Sequence, residues 1–182
     1  MSVFANPATT AAGPQAESYA ASVIRALDDR DPLEVMREMP NALRTIVREV
    51  PPQLLGAREA PGKWSIREVI AHLADSERNG SFRFRMVMAH DRPALPAYDQ
   101  DLWAERLAYS ESNVEEALEE FTALRRANVR LFERASDDDL ARVGMHSERG
   151  EESLGYMLKL YAGHDIVHLR QIERIRRAVG AA

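Results

Sequence analysis

The chain has 182 residues, 24 lysines and arginines against 29 aspartates and glutamates for a formal net charge of −5, and no cysteine. That length suits one domain that buries its own core without cross-links, and the cysteine count excludes disulfides and protein thiol chemistry while fitting a reducing, cytoplasmic compartment. The acidic balance argues against nucleic acid as a partner, and no window approaches the roughly 18–20 continuous apolar residues that span a bilayer.

Residues 1–16, rich in Ala, Pro and Thr, lack the basic and apolar regions of a secretory signal. They are expected to be a flexible lead-in to a single domain over 17–182. A first short helix is predicted from about Glu17 to Asp28. Asp31-Pro32 then supplies an N-cap followed by proline at the first helical position. Leu33, Met36, Leu43, Ile46 and Val47 carry a helical stripe toward Val50, with a kink or break expected at Met39 because Pro40 lies inside it.

After the loop from Pro51 to Gly62, Ser65-Ile66-Arg67-Glu68 matches a capping box, with Trp64 and Val69 placed as its hydrophobic staple. A long helix should run from Ile66 to about His90. Asp101 is a candidate cap for a short helix through LWAERLAY, and Ser112-Asn113-Val114-Glu115 reads as a second capping box opening a long helix toward Arg134. A polar connection, residues 135–152, leads to a last helix from Leu154 to about Val179. Its closing arginines, Arg170, Arg174, Arg176 and Arg177, suit a helix C-terminus. No alternating β-branched run marks a strand, so the expected fold is all-α, a four-helix bundle.

The chemistry concentrates on the last helix. At about 100° per residue, Leu154, Met157, Leu160, Tyr161, Val167, Ile172, Ile175 and Val179 fall within about −60° to +80° of His164. His168 lies near 40° and Gln171 near −20°, so two imidazoles and an amide sit in the core-facing stripe. Leaving such groups buried and unpaired costs roughly 1–3 kcal/mol each. Two histidines one turn apart could share a metal ion. They could equally be ordinary core histidines bonded to carbonyls, water or a carboxylate, and a third ligand would decide.

Of the other histidines, His90 reads as a solvated helix end, and His146 as either exposed or at a pocket rim. His72 lies at the edge of the apolar stripe of the second long helix, where it can face the last one. Ser76, Asn79 and Arg83 continue its line as a polar strip, or as a solvated edge. Glu77, near 140° among Ile70, Leu73 and Phe84, needs an arginine or tyrosine partner, or supports the site from behind. Tyr98 and Trp103 could wall a pocket, although aromatic packing accounts for both.

GKWSIREVIAHLADSERN, taken with LGYMLKLYAGHDIVHLRQIERI, resembles the DinB-like superfamily over roughly Asp31 to Val179. Its members include metal-dependent hydrolases and thiol-dependent S-transferases such as bacillithiol transferase. The resemblance implies a four-helix bundle with an up-down-down-up path, often paired as a homodimer. It also implies a divalent metal, zinc or nickel, held by His72, His164 and His168. Three neutral imidazoles leave coordination positions open, so the ion would activate either water for hydrolysis or a low-molecular-weight thiol for transfer. A small-molecule substrate is then expected, with Glu77, Tyr161 and Gln171 as candidates to support the ligands or orient it. The competing expectation is a non-catalytic metal-binding or stress-response interaction module.

Overall fold

A computed structural model describes residues 14–181; residues 1–13, most of the expected lead-in, and residue 182 lie outside the described residues. Seven helices follow in chain order: α1 (Pro14–Leu27), α2 (Pro32–Glu49), α3 (Ile66–Ala89), α4 (Gln100–Arg106), α5 (Val114–Glu133), α6 (Asp137–Ala141) and α7 (Leu154–Ala178). The first therefore starts a turn before the predicted Glu17. The four long ones, α2, α3, α5 and α7, make the bundle, with α1 laid along α7.

Cross-helix pairs fix the path. Residue numbers rise together on α3 and α5, where Arg78 meets Glu120, Glu77 meets Arg125, and Phe84 meets Phe132. They run oppositely on α3 and α7, where His72 meets His164 and Phe84 meets Tyr161. On α2 and α5 they again run oppositely, through Met36 with Arg125 and Arg37 with Glu133, and Arg176 near the end of α7 reaches Glu49 at the end of α2. The bundle is thus up-down-down-up, as the family resemblance implies.

Local chemistry sets the helix boundaries, with two corrections to the expected caps. Asp31 caps α2, and the Ser65/Glu68 capping box opens α3 as expected. At α4 the cap is Asp99 rather than Asp101, its carboxylate accepting from the Asp101 and Leu102 amides. At α5 it is Asn113 rather than Ser112, whose hydroxyl instead donates to the Tyr109 carbonyl. An Asn side chain reaching its own second and third amides competes directly with a serine one residue earlier.

Of the kink or break expected at Met39, the break does not occur, since α2 runs unbroken through Pro40. Proline offers no N–H to the carbonyl four residues back, Met36. That carbonyl accepts a hydrogen bond from Arg125 Nη1 at 3.2 Å instead, so the lost helix bond is replaced from α5.

A small three-stranded sheet is the element that the sequence pattern does not foretell: β1 (Ala94–Leu95), β2 (Val143–His146) and β3 (Gly150–Ser153). β1 pairs parallel with β2, with Leu95 opposite His146, and β2 pairs antiparallel with β3. It closes one side of the bundle and presents the β2–β3 turn inward.

The bundle interior has three layers. One apolar cluster gathers Leu43, Ile66, Ile70, Leu73, Phe121, Ile172 and Ile175; another gathers Met36, Phe84, Val87, Phe132, Leu154 and Met157. Between them lies a buried polar layer from α3, α5 and α7: Asp75, Ser76, Glu77, Arg125, Asn128, Asp165, His168 and Gln171. At its edge α1 approaches α7 so closely that a Cβ on Gly163 would lie 2.2 Å from the Val23 carbonyl oxygen. Only glycine permits that approach.

Candidate metal centre and cavity

Three imidazoles converge in the polar layer. His164 Nε2 lies 3.1 Å from His72 Nε2 and 3.0 Å from His168 Nε2. α7 supplies two of them one turn apart, and the antiparallel crossing of α3 supplies the third. Trp64, which precedes the α3 cap, packs its ring 5.0 Å from that of His72.

The donor chemistry fits a cation. His168 Nδ1 lies 2.8 Å from Gln171 Oε1, an oxygen that can only accept. The proton therefore sits on Nδ1, and the Nε2 lone pair points at the cluster. Burial holds all three rings neutral. It takes His168 down to about 4 and drives His72 and His164 well below the ordinary imidazole range, with neighbouring rings adding to the effect at both. Two nitrogens about 2.0–2.1 Å from one zinc are at most about 4 Å apart, and the observed spacings lie inside that bound. His72, His164 and His168 are accordingly placed where they could hold a metal ion.

Gln171 thus touches a candidate ligand and is not among the residues that line the cavity. Glu77 is not among them either. Its carboxylate accepts from Arg125 Nη2 and Asn128 Nδ2, both at 2.8 Å. Arg125 also grips Asp165 through two bonds, at 2.5 and 3.0 Å. Burial pushes Asp165 up to about 6 against the opposing pull of that guanidinium. This ion network lies beside the histidines and braces α3, α5 and α7; the carboxylates in it are fully engaged.

A cavity of about 100 Å³ opens beside His72 and His164. Tyr161 stands on its wall, its hydroxyl donating to the Ser76 carbonyl at 3.4 Å, so this residue can face a substrate. Ser76 and Arg83 line it too, which makes the α3 polar strip an interior one; Asn79 stays outside. Tyr98 lines it while stacking on Trp103, with ring centroids 4.3 Å apart. Trp103 backs the wall without joining it.

The end of β2 supplies His146 and the β2–β3 turn supplies Glu148 and Arg149 to the same wall, and α1 supplies Tyr19. His146 Nδ1 accepts from the Glu148 and Arg149 amides at 3.2 and 3.3 Å, which leaves the ring proton on Nε2. Burial, reinforced by Arg149 and Arg83, lowers this imidazole to about 3. Arg149 is held by Glu152 through bonds of 2.5 and 3.1 Å. Tyr19 is pushed up to about 12, chiefly by burial. Sequence reasoning missed Tyr19, Glu148 and Arg149 as wall residues, because none lies on the long helices that carry the histidines. His90 is exposed at the end of α3, as expected.

Fold and site together define a four-helix bundle whose polar centre carries a histidine trio able to hold a metal ion. The chain belongs to the DinB superfamily, whose sequence profile matches residues 36–172. It is 31% identical over 137 residues to an Oceanobacillus iheyensis protein named "Putative metal-dependent hydrolase", covering 75% of this chain and 79% of that protein. A Bacillus cereus protein of the same name is 28% identical over 145 residues, covering 80% and 83%. Among solved structures, YfiT from Bacillus subtilis, described as "a probable metal-dependent hydrolase with an unusual four-helix bundle topology", superposes with a TM-score of 0.76 and 26% identity, over 82% of this chain and 86% of that one.

Proposed function

We propose that the protein is a metal-dependent hydrolase of a small molecule, with His72, His164 and His168 holding a divalent ion, zinc or nickel. The convergence of three neutral imidazole nitrogens beside a cavity carries this reading. The names of the relatives support it. When bound, such an ion supplies Lewis-acid polarisation and acidifies water or a thiol.

The chain's own residues do the rest. Gln171 fixes the His168 ring, and the Arg125 network holds α3, α5 and α7 in register. His146 Nε2–H offers a hydrogen bond to substrate, and the Tyr161 hydroxyl oxygen can accept one. Glu148, the one carboxylate on the described cavity wall, is the candidate to take up a proton from the attacking water. Glu77 and Asp165 are occupied by Arg125 and leave that role to it.

Thiol S-transfer is the second reading. It is favoured by that scarcity of free carboxylates, since a thiol activated by the ion needs no protein base. Elemental analysis tests the shared premise. Wild type is expected to carry near one equivalent of metal that His164→Ala loses, whereas equal background content in both would overturn the site. Assays of ester and amide hydrolysis, set against metal-dependent consumption of a low-molecular-weight thiol with an electrophile, then separate the reactions. Glu148→Gln should depress the first and spare the second.

A further inference from the structure

Arg83 is 5% exposed and stands on the cavity wall, yet among the described residues it has no carboxylate partner. One Nη2 hydrogen goes to the Pro96 carbonyl, and the Tyr98 ring lies 6.0 Å from its central carbon. Its Nε has no hydrogen-bond partner at all. The other buried arginine of the bundle, Arg125, grips two carboxylates, and Arg149 beside it on the wall is matched by Glu152. A buried guanidinium is expensive unless an anion meets it. This one lines a cavity that His72 and His164 also line.

We propose that Arg83 binds a carboxylate of the substrate, so that the molecule processed here is a small carboxylic acid held at one end by Arg83 with its reacting group toward His72 and His164. The inference rests on the proposed metal site for the second half of that statement only. A planar guanidinium with N–H donors left unused matches a carboxylate in shape and charge. One unmatched positive charge answers one negative charge, which favours a carboxylate over a phosphate dianion. His146 Nε2–H adds a neutral donor, and Glu148 excludes a second anionic group from its side of the cavity.

The test is titration of the chelator-treated full-length protein with acetate, with acetamide and inorganic phosphate as parallel arms, following the ¹⁵N resonance of the arginine Nε–H groups. Acetate should shift one such resonance saturably, and acetamide should not. Arg83→Met should weaken acetate binding by at least about tenfold, with Arg83→Lys falling between the two. Arg83→Met should also melt at or above the wild-type temperature, because it removes an unpaired buried cation, and should keep wild-type metal content. Equal responses to acetate and acetamide, tighter binding of phosphate, or unchanged acetate binding in Arg83→Met would each overturn the proposal. A lower melting temperature for both variants would assign Arg83 to holding Pro96 and overturn it as well. Because metal is absent from the titration, failure of the histidine site would leave its result standing, and the metal content of Arg83→Met reads that site separately.

Discussion

Gln171 shows how one side chain can serve a site without touching its cavity. Its amide oxygen fixes both the tautomer and the plane of the His168 ring. Gln171→Leu keeps the volume and removes the acceptor. Loss of an outer hydrogen bond of this kind typically weakens metal binding about 10–100-fold, and competition with a chromophoric chelator would measure it. Arg125 is the contrasting residue. It is fully buried with Glu77 and Asp165, so Arg125→Ala strands two carboxylates and should cost about 3–5 kcal/mol in chemical denaturation. The wheel positions of His164, His168 and Gln171 made their place on the inward face of α7 legible from sequence. That Glu77 would pair with an arginine was legible too, but not that Arg125 and Asn128 would supply its partners, because they come from a helix about fifty residues away and periodicity places a residue on a face without naming what faces it.

The long helices were legible because each couples a cap to a sustained apolar stripe. The small sheet was not, since β2 and β3 have four residues each and little β-branched alternation. One local sign was present: Gly150 closes the polar SER turn at φ 76°, the left-handed position that three-residue hairpin loops reserve for glycine. Pro40 pointed, for a related reason, to a break that does not occur. Its effect on α2 depended on Arg125, which lies far along the chain. The packing of α1 depends on a single glycine, Gly163. A methyl there meets the Val23 carbonyl, and backbone cannot swing aside as a side chain can. Gly163→Ala should therefore cost about 1–3 kcal/mol and raise amide exchange along α1 while α3 and α5 stay protected. Unchanged protection of α1 would show that the contact is not what holds it.

At the scale of the whole molecule, the polar layer makes stability depend on pH and on metal together. His168 titrates at about 4 and His146 at about 3 in the folded chain, against about 6.5 for an unperturbed imidazole. His72 and His164 are shifted the same way. Between those folded values and 6.5 the unfolded chain binds more protons, so stability rises with pH across that interval and is lost as pH falls through it. Asp165 opposes this, because its raised value of about 6 gives the folded chain the extra proton between about 3.8 and 6. Four imidazoles against one carboxylate leave the net slope positive. Metal-free protein should consequently lose denaturant stability steadily from pH 6.5 toward 4. An ion held by the trio adds stability by mass action, about 2.7 kcal/mol at a hundredfold excess over its Kd, and it competes with protons for the same nitrogens. The gain on adding zinc should thus be full near pH 7 and shrink toward pH 4, and His164→Ala should abolish it at every pH. Paired denaturation series with and without zinc would measure this difference directly. A zinc-induced gain that survives in the variant would place the ion elsewhere on the molecule.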